Sequence, residues 1–280
     1  MGVVLKRETS HAAQLGREVS DWLTREGIAG FAEPDVAADL GLQPSSKSEM
    51  FASVDAILVL GGDGTFLSTA RLAGSREVPI VGVNLGGLGF LTEIAREELH
   101  STLLAALCGE ASIDRRSMVS ATVRRADGGT ESYQALNDVV LSRGALGRTV
   151  DIEARIDGAF LGTFKADGLI LSTPTGSTAY SLSAGGPLVH PSVPILVLAP
   201  ICPHTLSVRP MVVDDGATIE FRQGSDRDEL LLTLDGQETI HLMQDDAIVV
   251  EKSPNVACLV HSPDLSFYDL LRTKFGWTRV

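Results

Sequence analysis

Near residue 110 the spacing of apolar residues changes from a helical period to a strand period, which divides the chain into two folding regimes. Before that point strand and helix signals alternate. Val3 to Leu5 is a short apolar run. Ala12, Leu15, Val19, Trp22 and Leu23 then recur at spacings of three and four, with Gly27 placed to end the helix. Ala56 to Leu60 is continuously apolar at strand length, as a strand covered on both faces requires. A helical segment follows from Thr65 to Ala73, then a strand from Val78 to Val83, a turn through Gly86, Gly87 and Gly89, and a helical pattern from about Glu97 to Leu107. This β-α-β order predicts a doubly wound α/β domain over residues 1–108.

Beyond residue 110, Val150, Ile152, Ala154 and Ile156 alternate with Asp151, Glu153, Arg155 and Asp157, and Ile219 and Phe221 with Glu220 and Arg222. Turn signals at Asp127-Gly128-Gly129, Asp157-Gly158, Asp215-Gly216 and Asp235-Gly236 suit antiparallel hairpins. A β-rich, sandwich-like domain over 109–264 is therefore expected. Phe267, Leu270, Leu271 and Phe275 return to helical spacing, so a C-terminal helix within 265–280 should close back onto the N-terminal domain. Glu33 to Ser48 is the most linker-like stretch.

The charge balance narrows the function. The formal net charge is −13 and the pI about 4.8, which disfavours nucleic acids and anionic membranes, whose partners need a basic footprint. The longest apolar run, Val193 to Cys202, contains two prolines and falls well short of the roughly 20 residues of a membrane span. Residues 1–7 place charges after a short apolar run, the reverse of a secretory signal. Cys108, Cys202 and Cys258 are widely spaced, which suits neither a disulfide framework nor a zinc site, and predicts reduced, mostly buried thiols in a cytoplasmic protein.

Three motifs carry chemistry. Gly61-Gly62-Asp63-Gly64-Thr65 follows a buried strand and precedes a helix, so its backbone N–H groups suit an anion such as phosphate. A carboxylate there suits proton acceptance from a hydroxyl, or a metal. The chain has six Asp-Gly pairs, and an isolated one reads as a turn; the doubled glycine and the strand-to-helix setting separate this one from the rest. No Lys follows the last glycine as in a P-loop, and Leu67 breaks a G-x-G-x-x-G pattern. The Gly86-Gly87-Leu88-Gly89 run reads as a tight chain reversal with close packing. The second motif, Lys165 to Pro187, crowds Ser and Thr around Pro174 and Gly176, offering donors without bulk to a polar, ring-rich ligand. Lys165 and Asp167 beside it add a cation and an acceptor. The third, Asn137-Asp138, opens a strand with an amide and a carboxylate; Asp235-Gly236-Gln237 passes as a hairpin tip.

The order of these motifs, with Pro203-His204-Thr205-Leu206-Ser207 and Lys274-Phe275-Gly276-Trp277, resembles the NAD kinase family over nearly the whole chain. The Gly-rich motif alone is shared with diacylglycerol-type lipid kinases and phosphofructokinases; the run ending Thr178-Ala179-Tyr180 is far more specific. The resemblance implies transfer of the γ-phosphoryl group of ATP to the 2′-hydroxyl of the adenosine ribose of NAD, with Asp63 as proton acceptor and Gly64 beside it at the substrate. It implies NAD contacts from Asn137, Asp138, Arg148, Lys165, Asp167, Thr178, Ala179, Tyr180, Ser181, Leu182, Ser183 and Gln237. The family usually has Glu where Asp138 stands. A basic residue at Lys165 resembles the branch that prefers NAD over NADH, and Thr65 rather than Asn leaves polyphosphate open as a donor. The resemblance also implies a divalent cation, Mg2+ or Mn2+, with no metal-ligating residue assigned, and a homodimer or homotetramer. The alternatives are a diacylglycerol-type lipid kinase, against which the net charge argues, and a non-catalytic NAD-binding sensor, against which Asp63 argues. Residues 137–190, holding most of the implied NAD site, carry four bases and five acids, so the acidity does not fall on them.

Overall fold

The structure, a computed structural model, describes residues 1–7, 10–144, 149–205, 207–224, 230–262 and 265–277. Two compact units emerge, Met1–Arg116 with Asn255–Val280, and Ser117–Pro254.

The first unit runs β1 (Gly2–Leu5), α1 (Ser10–Arg25), β2 (Phe31–Ala32), α2 (Pro34–Leu40), β3 (Gln43–Pro44), α3 (Lys47–Ser53), β4 (Ile57–Leu60), α4 (Asp63–Ala70), β5 (Pro79–Val83) and, after a 3-10 turn, α5 (Leu99–Cys108). Its strands are parallel in the order β5-β4-β1-β2-β3. Ile57-Leu58-Val59-Leu60 is buried throughout, as expected of a strand with helices on both faces. The helices close over Val3, Leu5, Leu58, Leu60, Val81 and Val83 with Leu15, Val19, Leu23, Leu99 and Leu103.

The second unit contains β6 (Ile113–Arg124, entering from the first unit), β7 (Thr130–Ala135), β8 (Asp138–Arg143), β9 (Val150–Ile156), β10 (Ala159–Ala166), β11 (Gly168–Ser172), α6 (Tyr180–Ser183), β12 (Ile195–Ile201), β13 (Met211–Asp214), β14 (Ile219–Gln223), β15 (Leu230–Leu234), β16 (Glu238–Leu242) and β17 (Ala247–Val260). One antiparallel sheet has the order β13-β12-β11-β8-β15-β16; facing it are β10-β9-β14-β17 with β6 and β7. Val139, Leu141, Leu169, Leu171, Leu198 and Leu232 of the first sheet meet Ile152, Ala154, Phe221 and Ile248 of the second, which is sandwich packing. The alternate residues Val140, Ile170, Val197 and Ala199 point the other way and are covered by Val189 and its neighbours. That covering chain includes the Ser/Thr-rich motif.

β17 then passes into the first unit, where Cys258 and Leu259 pair in parallel with Pro79 and Ile80. α7 (Phe267–Phe275) packs there through Leu270 and Leu271. Its start is capped by Ser266 and Asp269.

Three expectations are corrected. Glu33 to Ser48 is no linker, because Pro34 starts α2, the left-handed Gly41 ends it and a Ser46–Glu49 capping box starts α3. Asp215-Gly216 is not a hairpin tip, since β13 and β14 lie in different sheets. Only Cys258 is a buried thiol; Cys108 ends α5 beside its Gly109 cap and Cys202 takes a left-handed conformation after β12, which leaves both exposed.

Candidate active site

In the α/β unit the chain leaves β4 through Gly61 and Gly62 and enters α4 at Asp63. A Cβ on Gly61 would lie 2.6 Å from Thr65 Oγ1, so this glycine lets the turn pack on its own helix. The half-buried Asp63 side chain reaches the loop after β5. Its Oδ1 accepts from the N–H groups of Leu91 and Thr92 and from Thr92 Oγ1, at 3.1, 3.2 and 3.1 Å. Its Oδ2 accepts, among the described residues, from Phe90 N–H alone, at 2.9 Å. A carboxylate offers about four lone-pair sites, so Oδ2 retains capacity for a further donor. The loop is held in turn by Asn84, whose Oδ1 accepts from Gly86 and Gly87 N–H and whose Nδ2 donates to Thr92 Oγ1 at 3.0 Å. A Cβ on Gly89 would stand 2.2 Å from Asp63 Oδ1. Close packing thus holds at Gly89, whereas Gly86 and Gly87 border open space and owe their fold to the Asn84 side chain.

Phe90 is braced by the chain's end. The Phe275 ring lies 6.2 Å from it, Lys274 Nζ sits 5.8 Å over its face, and Trp277 stacks at a tilt on Phe275. A cleft of about 550 Å3 opens beside the loop, lined by Asn84, Leu88, Thr92, Glu93, Glu98 and Ser262 among others. It is acid-lined. Burial pushes the Glu93 carboxyl up, opposed by His261 with Nδ1 at 2.6 Å and by Arg116.

In the β-rich unit, Asn137 and Asp138 open β8 and are both buried. Asp235, left-handed at the tip between β15 and β16, turns its carboxylate onto their backbone: Oδ1 accepts from Asn137 and Asp138 N–H at 2.7 and 3.1 Å, Oδ2 from Leu136 N–H at 3.0 Å. Burial first, and then the Asp235 charge, push the Asp138 carboxyl up to about 7. Asn137 O accepts from Thr173 N–H, and a Cβ on Gly176 would lie 2.1 Å from that oxygen, so the Ser/Thr-rich segment is pressed against Asn137.

That segment divides in two. Ser172, Thr173 and Ser177 are buried and donate to backbone carbonyls, so their hydroxyls serve the fold instead of a ligand surface. Thr178 and Ala179 are half-buried, Tyr180 and Ser183 exposed, and Leu182 half-buried in α6. Ser181 Oγ and Asn137 Oδ1 are buried with no hydrogen-bond partner among the described residues, an arrangement that costs about 1–3 kcal/mol per group unless a ligand or water completes it. Lys165 is exposed on β10, Asp167 pairs with Arg143 at 3.4 Å, and Gln237 is exposed at the β15–β16 tip. Gly64 is exposed on α4. Arg148 lies outside the described residues.

Asn84, Thr92 and the clamping role of Asp235 escape a reading of the chain. Asn84 two residues before Gly86 is an Asx-turn signal; nothing local marks Thr92. No group of three or more His, Cys, Asp or Glu able to hold a metal occurs among the described residues.

Residues 1–111 match the ATP-NAD kinase N-terminal domain family and residues 136–262 the ATP-NAD kinase C-terminal domain family. The chain is 44% identical over 279 residues to an NAD kinase of Syntrophotalea carbinolica, covering 99% of this chain and 98% of that one. It is 46% identical over 260 residues to an NAD kinase of Geobacter metallireducens, covering 93% and 92%. Among solved structures, yeast NADH kinase complexed with NADH superposes with a TM-score of 0.92 at 26% identity, over 100% of this chain and 88% of that one. An Archaeoglobus fulgidus NAD kinase in complex with ATP gives 0.78 at 26% identity, over 99% of both chains.

Proposed function

The chain belongs to the NAD kinase family, and on that premise we propose that it phosphorylates NAD with ATP at the adenosine ribose 2′-hydroxyl, with Asp63 as the proton acceptor. The observation that carries the assignment of base is the uneven loading of its carboxylate: three donors on Oδ1 and one on Oδ2. Oδ2 takes the hydroxyl proton. As it does so the ribose oxygen bonds the γ-phosphorus, the bond from that phosphorus to the β,γ-bridging oxygen breaks, and ADP leaves. A positioned base contributes about 10²- to 10⁴-fold; in-line placement of the phosphoryl group supplies much of the rest.

Asn137, Asp138, Lys165, Asp167, Thr178, Ala179, Tyr180, Ser181, Leu182, Ser183 and Gln237 are the proposed NAD contacts, as is Arg148 by its place in the motif order. Support comes from Asn137 Oδ1 and Ser181 Oγ, two buried atoms of the β-rich unit without partners among the described residues, which suit a ligand rich in hydroxyl and amide groups. The divalent cation, Mg2+ or Mn2+, is assigned to the donor's phosphates, whose hard oxygens suit it. Cytoplasmic location and a homodimer or homotetramer complete the proposal; among the described residues no helix is long and apolar enough to cross a membrane. Sedimentation at working concentration tests the oligomer.

The test of the base is Asp63→Asn. It should keep NAD affinity, measured by calorimetry, while kcat falls at least 10²-fold. Near-normal kcat would remove Asp63 from that role.

A further inference from the structure

The donors to Asp63 lie on one loop, and a buried charge cluster outside the site fixes where that loop ends. The chain leaves β5 at Val83 and comes back to it at Ile94, where the two residues pair in parallel and Ile94 N–H donates to Gly82 O at 3.1 Å. Phe90, Leu91 and Thr92, which carry the donors, stand between. Glu93 is the single residue between the last donor and the return to the sheet.

Among the described residues one Glu and one Arg are buried, Glu93 and Arg116. Burying a carboxylate is costly unless cations and donors compensate it. Here the compensation comes from two other segments of the α/β unit. His261, just past β17, sets Nδ1 2.6 Å from Glu93 Oε2. Arg116, on β6, adds its charge, and the Ser262 N–H adds a hydrogen bond. No hydrogen bond from any other described residue reaches Oε2, so without the imidazole that oxygen is stranded in the interior. Arg116 is shared, since its Nε donates to Asp114 at 2.6 Å.

His261 is itself tied to the sheet. Cys258 and Leu259 before it pair with Pro79 and Ile80 of β5, and its own N–H donates to Ser112 O at 3.0 Å. Ser262 Oγ donates to Glu98 Oε1 at 3.3 Å, and Glu98 Oε2 accepts from Ala95 N–H at 3.1 Å. The returning segment therefore holds the loop's exit at Glu93 and just beyond it. A shift of Glu93 would carry Thr92 with it, whose N–H and hydroxyl both reach Asp63 Oδ1. Misplacing a reacting group by about 1 Å can cost on the order of 10²-fold in rate.

We infer that His261 is a positioning residue for the phosphoryl transfer: through its contact with Glu93 it sets the loop that aims the Asp63 carboxylate. The inference rests on the reading of Asp63 as the base.

The test combines kinetics with amide exchange. His261→Ala should lower kcat by roughly tenfold, the loss of one charge-assisted contact, and leave the KM values for NAD and ATP within about twofold. Glu93→Gln, which keeps the shape and removes the charge, should do the same, and the double variant should be no slower than the slower single one. His261→Asn, whose side-chain nitrogen is bonded to Cγ as Nδ1 is, should recover most of the rate. Arg115→Gln, which breaks an exposed pair with Glu77, is the control and should keep the parent's kcat. In the Asp63→Asn background His261→Ala should add no further loss, because the base it aims is gone. Hydrogen exchange of the Phe90, Leu91 and Thr92 amides should quicken by roughly tenfold in His261→Ala. An unchanged kcat in the folded variants, a rise in either KM in place of the fall in kcat, an equal further loss in Asp63→Asn, or unchanged exchange at those three amides would overturn the inference. Should His261→Ala misfold, Glu93→Gln decides by the same readouts. The two proposals fail separately: near-normal kcat in Asp63→Asn removes the base, while faster exchange in His261→Ala leaves the anchoring of the loop by His261 standing.

Discussion

Asp63 is both a strut and the proposed base, and its neighbours decide how well it does each. Thr92 hydroxyl donates to Oδ1 and accepts from Asn84. Thr92→Val keeps the shape and removes both bonds, so kcat should fall roughly tenfold with the KM for NAD little changed, and Thr92→Ser should restore it. Gly89→Ala is harsher, because its methyl would fall on the Asp63 carboxylate; turnover near background is expected, read by the same assay, with the melting temperature reporting any loss of fold. Asp138 offers a pH test. Its folded pKa, about 7, stands above the unfolded value near 3.8, so between these values the folded state holds a proton that the unfolded state has released. Stability from this group is therefore lost as pH rises through that window and stays lost above about 7. Asp138→Asn should gain stability over the parent from pH 5 to 7.5, on the order of 1–4 kcal/mol, then level off. Urea unfolding at stepped pH checks this, and a flat difference would exclude it.

The hairpin tip between β15 and β16 shows how an element can serve another element far away in the chain. Asp235 adopts φ +52° and caps three N–H groups nearly a hundred residues earlier. Asp235→Ala should destabilise the β-rich unit by about 3 kcal/mol and raise the KM for NAD, since the start of β8 loses its clamp. Asp235→Asn should recover part of both, measured by denaturant midpoint and by kinetics. This role is invisible in the local pattern, where Asp-Gly signals only a tight turn. The strands themselves were legible, because Val150 to Ile156 alternates at period two in sequence and in burial. So was the helix of Phe267 to Phe275, from its apolar spacing. What escaped was contact between distant segments: Thr92 with Asp63, Asn137 O with Gly176. Periodicity reports which face of an element is dry, and says nothing about which distant backbone that face will meet. The linker reading of Glu33 to Ser48 failed for a related reason: caps at Pro34, Gly41 and Ser46 sustain two short helices whose own apolar signal is faint.

For the molecule as a whole, net charge described solubility and left the site untouched. Acids outnumber bases along the whole chain, while the Lys47 ammonium, drawn out of water beside Glu33, feels Arg7 and Arg71. Screening by salt should consequently act on substrate capture more than on chemistry: raising ionic strength should increase the KM for ATP and leave kcat nearly constant. A fall in kcat with unchanged KM would contradict this.

The β-rich unit is one continuous stretch of chain, whereas the α/β unit is completed by residues 255–280. β17 adds a strand beside β5, and Phe275 and Lys274 seat Phe90, whose N–H reaches Asp63. The sandwich can close from residues 117–254 alone, yet the loop that grips Asp63 is not braced until residues 267–277 are in place, so a chain truncated before them is folded in part and silent in catalysis. A chain stopped after Ser266 should retain a protease-resistant core spanning 117–254 and lack kinase activity.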